Sequence, residues 1–169
     1  MATKLMGGVG SQLARGIVTG LCGTQALDWV GILLYDNESA ATRQAEDRAR
    51  NHRHAYEVAV DRLARRLGRR LDDEQITRWG WRFHKFFGIT SGLGYLALRR
   101  KFPRLGAGYG LAFGALFFVV VDELMMPLSR LTPGPRAFSW KVHARGAAAH
   151  LAYGVAAETA ARLLEPRRT

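Results

Sequence analysis

Uncharged apolar runs alternate with charged segments along this chain, and the longest run extends from Leu105 to Val121. A helix needs about 20 mostly apolar residues to cross the hydrocarbon core of a bilayer. The second and fourth runs reach that length only if their terminal Lys and Arg side chains extend to the interface. The pattern predicts an all-α integral membrane bundle of four helices in a single membrane domain covering residues 1–169. The predicted spans are about 9–35, 83–101, 105–128 and 142–164.

The segment between the first two spans carries charges of both signs and predicts an amphipathic helical insert at about 40–82. Its apolar residues recur at helical spacing, which predicts one helix over 40–71 with most Arg side chains off the apolar stripe. Asp72 or Asp73 is expected to cap the helix that follows. The insert is interpreted either as packed on the bundle or as contacting anionic lipid through its Arg-rich part, 55–71.

Small residues recur at four-residue intervals in the predicted spans, which is typical of close contacts between membrane helices. The glycines expected to pack helices are Gly16, Gly20, Gly88, Gly92, Gly106, Gly110, Gly114 and Gly154. The four Trp residues, in an array of antiparallel spans, all fall on one side of the membrane. They would form one half of an aromatic belt.

Composition narrows the class of protein further. The apolar fraction of 48% argues against disorder, and the single Cys22 excludes a disulfide scaffold. Among 25 Lys and Arg residues only four are Lys, a bias that indicates a GC-rich bacterial genome. The first ten residues lack the features of a cleavable signal peptide, so we expect the first span to be an uncleaved anchor.

No catalytic signature occurs in the chain, and we expect no enzyme activity and no cofactor. The candidate chemistry lies in ionisable residues within or near the spans, because charges at bilayer depth are costly and are often functional. This ionisable layer comprises Asp28, His84, Asp122, Glu123, His143, Arg145, His150 and Glu158. It is interpreted as buried ion pairs, as a proton or ion relay, or as a metal or cofactor site.

Two pairings within this layer are expected. At least one of Asp122 and Glu123 should pair with His143 or Arg145, because these residues lie at matching depth on adjacent spans. Glu158 can pair with Arg162 one helical turn later.

Several of these residues resemble the YagU-like family of bacterial inner-membrane proteins, a domain of unknown function. The resemblance covers roughly residues 9–164. It is carried by His84, Gly88, Gly94-Tyr95, Pro103, Gly110, Gly114, Asp122-Glu123, Pro127, Thr132-Pro133, His143, His150, Tyr153-Gly154 and Glu158. The resemblance implies a multi-span protein of the bacterial inner membrane and implies no catalytic residues. The Arg-dense segment 40–82 departs from the family pattern.

The sequence therefore favours a small multi-pass inner-membrane protein with a structural or stress-related role and the lipid bilayer as its surroundings. A membrane-protein partner or a second copy of the chain is a further expected contact. The alternatives are a proton- or ion-handling membrane protein and a soluble basic protein that binds nucleic acid. Acids interleaved with the Arg residues argue against a track for nucleic-acid phosphates.

Orientation follows from the distribution of basic residues. The basic segment 99–104 and the Arg-rich C-terminus place both termini in the cytoplasm by the positive-inside rule. The Arg residues of 36–85 argue for the reverse orientation. We favour cytoplasmic termini, because the density of charge in the short loop and the family resemblance agree.

Overall fold

The chain folds into six helices and no strand over residues 2–165, the part that the computed structural model describes, with side chains from Gly10 onward. Met1, which precedes the expected anchor, and Arg167 and Arg168 of the basic C-terminus lie outside the described residues. The helices are α1 (Ala2–Asp36), α2 (Ala40–Ala49), α3 (Ala55–Arg66), α4 (Asp73–Lys101), α5 (Leu111–Leu128) and α6 (Trp140–Leu163). The all-α prediction is confirmed.

The four long helices pack with alternating direction. Asp28 lies beside His84 while Gly16 lies against Leu93, so α1 and α4 are antiparallel. Helix α6 packs against α1 and against α5 and is antiparallel to both. Helices α4 and α6 consequently run parallel, and side chains such as Tyr95 and Tyr153 connect them.

Glycines let the helices of this bundle approach closely, as the four-residue spacing predicted. Between α1 and α4, a side chain at Gly92 would meet the backbone of Gly20. Between α5 and α6, the backbones of Gly110 and Gly154 touch in the same way. The remaining predicted packing glycines also face a neighbouring element: Gly16, Gly88, Gly106 and Gly114.

The third span was predicted at about 105–128, but helix α5 begins only at Leu111. Gly106 belongs to a 3₁₀ turn at Pro103–Gly106, and Gly110 precedes α5 as its N-cap with a φ of 91°. This left-handed conformation favours glycine, which explains why the residue stands there. The helix continues from Leu111 to Leu128, with π-helical geometry over Val119–Met125.

The prediction of one helix over 40–71 is wrong. Helix α2 ends at Ala49, and the left-handed backbone of Asn51 and His52 turns the chain back into α3. Such a turn has little signature, because Asn and His tolerate positive φ but do not require it. The predicted cap at Asp72 is confirmed: its carboxylate accepts a hydrogen bond from the amide of Gln75 at 2.8 Å. Helix α4 therefore starts ten residues before the predicted span at 83–101.

Among the described residues, two helices are long and apolar enough to cross a membrane by length and composition, Gly10–Asp36 and Leu111–Leu128. The regions predicted as the second and fourth spans are helical but fall below that measure, because α4 and α6 carry more polar and charged residues.

The interior of the bundle holds small and polar side chains rather than large aliphatic ones. The largest fully buried side chains are Tyr95, Tyr153, Glu46, Glu158, Thr19 and Thr24. Large apolar side chains instead cover the outer surface of the long helices. They include Leu13, Ile17, Leu21, Ile32, Leu33, Phe86, Leu116, Val119 and Leu124.

Candidate functional site

The ionisable residues form two groups at opposite ends of the bundle. We call the end with all four Trp side chains the Trp end; its tryptophans, Trp29, Trp79, Trp81 and Trp140, are exposed. Their common position agrees with the predicted one-sided belt. The opposite end is named the Glu158 end after its fully buried carboxylate.

Asp28 joins α1 to α4 at the Trp end. Its two carboxylate oxygens contact Nε2 of His84 at 2.7 Å and Nζ of Lys85 at 2.8 Å. The rings of Tyr56 and Trp81 pack against His84, with centroids 5.2 and 5.7 Å from the imidazole. Asp28 is thus fully paired, and one ring from α3 and one from α4 lie against its imidazole partner.

Glu123 and His143 join α5 to α6. The Nδ1 atom of His143 lies 2.6 Å from Oε1 of Glu123, and Nε2 lies 3.0 Å from the carbonyl oxygen of Pro135. Both partners accept hydrogen bonds, so this geometry suits an imidazolium that donates from both nitrogens. The expected pairing of an α5 acid with His143 is confirmed.

Arg145 has different partners from those considered in the sequence. Its guanidinium donates to Glu38 at 2.5 Å and to Glu46 of α2 at 2.5 Å, and it lies 5.1 Å from the ring of Tyr35. Arg50 also pairs with Glu46. Arg145 therefore fastens the α2–α3 hairpin to the bundle instead of neutralising α5.

Asp122 lies beside His150 without a hydrogen bond. Nδ1 of His150 is 2.9 Å from the carbonyl oxygen of Gly146 and therefore carries a proton, and Asp122 is 3.6 Å from the same nitrogen. The π-helical segment of α5 carries this carboxylate. Asp122 is the member of the ionisable layer that lacks a close hydrogen-bonding partner among the described contacts.

Glu158 is the centre of the opposite end. Its carboxylate accepts from the Tyr95 hydroxyl, from Arg99 Nη2 at 3.0 Å and from Arg162 Nε at 2.6 Å. The predicted pairing with Arg162 is confirmed. Arg99 also reaches Glu165 at 2.7 Å. Three donors from two helices satisfy a carboxylate that is shielded from solvent, which is how a buried charge is retained.

The α2–α3 hairpin packs on the Trp end through polar contacts. Thr77 donates to the buried Glu57 at 3.0 Å, and Arg62 donates to the carbonyl oxygens of Ser129 and Arg130. Burial raises the pKa of the Tyr56 phenol, and neighbouring Glu57 adds to that increase. Desolvation and the charge of Arg50 lower the pKa of His54.

Sequence reasoning missed several partners. The pattern of the sequence gives no link between Arg145 and Glu38 or Glu46, and none between Glu158 and Tyr95 or Arg99. One available signal was the buried position expected for Arg145, which requires acidic partners from some other element. Nothing local in the sequence indicates that α2 supplies one of them.

No group of three or more His, Cys, Asp or Glu side chains suited to a metal ion occurs in residues 2–165. Comparisons with family models, curated proteins and solved structures find no match to this chain.

Proposed function

We propose that this chain is a multi-pass membrane protein in which α1, α4, α5 and α6 span the bilayer. The observation that carries the proposal is the reversed distribution of side chains, with small and polar groups inside and large apolar groups outside. In water, burial of large apolar side chains drives folding. In lipid that driving force is absent between helices, and small residues and polar contacts hold the helices together.

The dimensions of α1 support this proposal. Exposed apolar side chains follow the helix from Leu13 to Leu34, a rise of about 32 Å at 1.5 Å per residue. The hydrocarbon core of a bilayer is about 30 Å thick. The most apolar windows of the two candidate spans are only 22% and 17% buried. Core helices of a soluble protein would be mostly buried.

The paired charges support an architectural role. Asp28, Glu123 and Glu158 each join two helices, and Arg145 joins the bundle to α2. We infer that the protein acts as a structural component of a bacterial inner membrane, in line with its resemblance to the YagU-like family. If both termini are in the cytoplasm, the Glu158 end of the bundle, which includes Arg99, faces the inside of the cell.

Membrane extraction tests this proposal. After a high-pH carbonate wash, the protein should stay in the membrane pellet and require detergent for release. Quantitative release into the wash would overturn the proposal and favour the soluble, nucleic-acid-binding alternative. A reporter that is active only in the cytoplasm should be active when it is fused to Thr169. If instead a reporter that is active only outside the cytoplasm works at this position, the orientation is the reverse.

A second candidate function is proton or ion handling, and the π-helical segment favours it. Isolated π-helical turns occur often at functional sites. This one carries Asp122, whose carboxylate faces His150 without a hydrogen bond. If Asp122 serves a relay, Asp122→Asn should change proton leak in vesicles without lowering the melting temperature. A variant with unchanged leak would support the architectural role.

We also propose that α3 contacts anionic lipid. Leu63 and Leu67 are exposed on α3 and its C-cap, beside the exposed Arg66, Arg69 and Arg70. Exposed Leu next to Arg is typical of a helix at a charged membrane surface. A variant in which these Arg residues are replaced by Gln provides the test. If α3 contacts anionic lipid, the wild type should retain more phosphatidylglycerol than this variant.

A further inference from the structure

The outward face of α1 carries residues spaced alternately by four and three positions. This spacing is the heptad pattern by which helices pack along a left-handed seam. The face lies opposite the glycine- and threonine-lined side that contacts α4 and α6. All its members are exposed: Val18, Cys22, Gln25, Trp29 and Ile32. We call them the α1 seam.

Gln25 is the unusual member of the α1 seam. It lies near the middle of the apolar stretch between Leu13 and Leu34, and its side chain is exposed. No hydrogen bond to its amide occurs among the described residues. In a bilayer that position faces hydrocarbon, where an unsatisfied polar group costs several kcal/mol.

We propose that a second copy of this chain covers the α1 seam, with Gln25 hydrogen-bonded to Gln25 of the other copy. This inference rests on the proposed membrane location. A carboxamide both donates and accepts, so two identical side chains can satisfy each other across a two-fold axis. Lipid tails offer no such partner. A single polar residue in an apolar seam also fixes the register of two helices.

The register makes a specific geometric prediction. Two copies inserted in the same orientation have parallel α1 helices, so each seam residue meets its own equivalent. Cys22 lies three residues before Gln25 on the same face and is exposed. The two Cys22 thiols should therefore approach each other closely enough to be oxidised to a disulfide, and Cys22 provides a native probe of the interface.

Oxidative cross-linking in membranes tests the dimer. The full chain is reconstituted in phosphatidylethanolamine–phosphatidylglycerol vesicles, washed with carbonate, oxidised with copper phenanthroline and separated without reductant. The wild type should give a disulfide-linked dimer. Cys22→Ala should give none. Cys22→Ala/Ile17→Cys carries its thiol about 100° or more around the helix from the seam and should cross-link poorly, although Ile17 is also exposed.

A second measurement isolates Gln25. Energy transfer between labelled copies in vesicles measures the affinity of dimerisation. The affinity of Gln25→Leu should be about 10-fold lower than that of the wild type, which is the effect expected from losing one or two interhelical hydrogen bonds. Leu33→Ala, an exposed residue beside the seam, should leave affinity within about 3-fold.

The outcomes separate the two proposals. Retention in the pellet with no Cys22 dimer would overturn the α1 seam and leave the membrane proposal intact. Equal cross-linking from Ile17→Cys, or unchanged affinity of Gln25→Leu, would also overturn it. Release of the protein by carbonate would overturn the membrane proposal, and the α1 seam with it.

Discussion

The hydroxyl of Tyr153 in α6 donates a hydrogen bond to the main-chain oxygen of Gly88 in α4 at 2.9 Å. Both residues are buried, and a side chain at Gly88 would collide with Thr24 of α1. The contact therefore lies where three helices meet. It shows how this bundle combines close backbone approach with a polar contact, in place of interdigitated aliphatic side chains.

Removal of the Tyr153 hydroxyl should destabilise the protein modestly. We expect Tyr153→Phe to lower the free energy of unfolding by about 0.5–1.5 kcal/mol, because one buried hydrogen bond is lost while the ring remains. Unfolding in detergent measures the change. Tyr109→Phe, at an exposed tyrosine, should change stability by less than about 0.5 kcal/mol. Equal effects would contradict the assigned contact.

Gly92 and Gly94 offer a matched pair on α4. A methyl group at Gly92 would meet the backbone of Gly20, whereas one at Gly94 meets nothing within 4 Å. Gly92→Ala should destabilise the protein by about 1–3 kcal/mol through overpacking. Gly94→Ala should be neutral or stabilising, because alanine favours helix. Thermal unfolding in detergent compares them, and a stable Gly92→Ala would mean that α1 and α4 are further apart.

Glu123 and His143 should be energetically coupled, and Glu123 and Arg145 should not. A double-mutant cycle with Glu123→Gln and His143→Gln should give a coupling energy above about 0.5 kcal/mol. The cycle of Glu123→Gln with Arg145→Gln should be additive within about 0.5 kcal/mol, because Arg145 pairs with Glu38 and Glu46. The opposite result would reassign the partner of Arg145.

Arg145→Gln should detach the α2–α3 hairpin. Removing one partner of a buried ion pair costs about 3–5 kcal/mol, because the remaining charge stays buried and unpaired. Here the carboxylates left behind are Glu38 and Glu46; Glu46 is 2% exposed and keeps Arg50 as a partner, so we expect a loss near the lower end of that range. Hydrogen exchange over α2 should accelerate in this variant. Arg48→Gln, an exposed position on the same helix, is the control and should leave exchange unchanged.

Hairpin stability should depend on pH through His54. Its pKa is lowered in the fold, so the unfolded chain binds a proton more readily, and the contribution of His54 to stability falls as pH drops below about 6.5. Protonation also removes the Nδ1 acceptor for Arg50, now 2.9 Å away. His54→Asn keeps an acceptor but does not titrate.

Hydrogen exchange over α3 between pH 5 and 7, corrected for intrinsic rates, measures this effect. Protection in the wild type should rise with pH relative to His54→Asn. Parallel profiles for the two proteins would show that another group controls the hairpin.

Helical class and glycine contacts could be predicted because they depend on local periodicity. Gly20 and Gly92 belong to repeats within single helices, so their packing role is visible in the sequence. The turn at Asn51 and His52 could not be predicted, since two residues tolerant of positive φ do not compel a turn. The partners of Arg145 were equally hidden, and so were Tyr95 and Arg99 as partners of Glu158. Such pairs depend on how helices distant in sequence are arranged, and a single sequence carries no direct record of that arrangement.

The Arg145–Glu46 contact also constrains the order of events during biosynthesis. Arg145 follows Glu46 by 99 residues, which a ribosome adds in about 5–20 s. Until α6 is made, Glu46 lacks Arg145 as its partner, whereas α3 can already pack on α4. The attachment of α2 to α6 is therefore completed last, and a chain interrupted before α6 would leave α2 without this contact and more open to proteolysis.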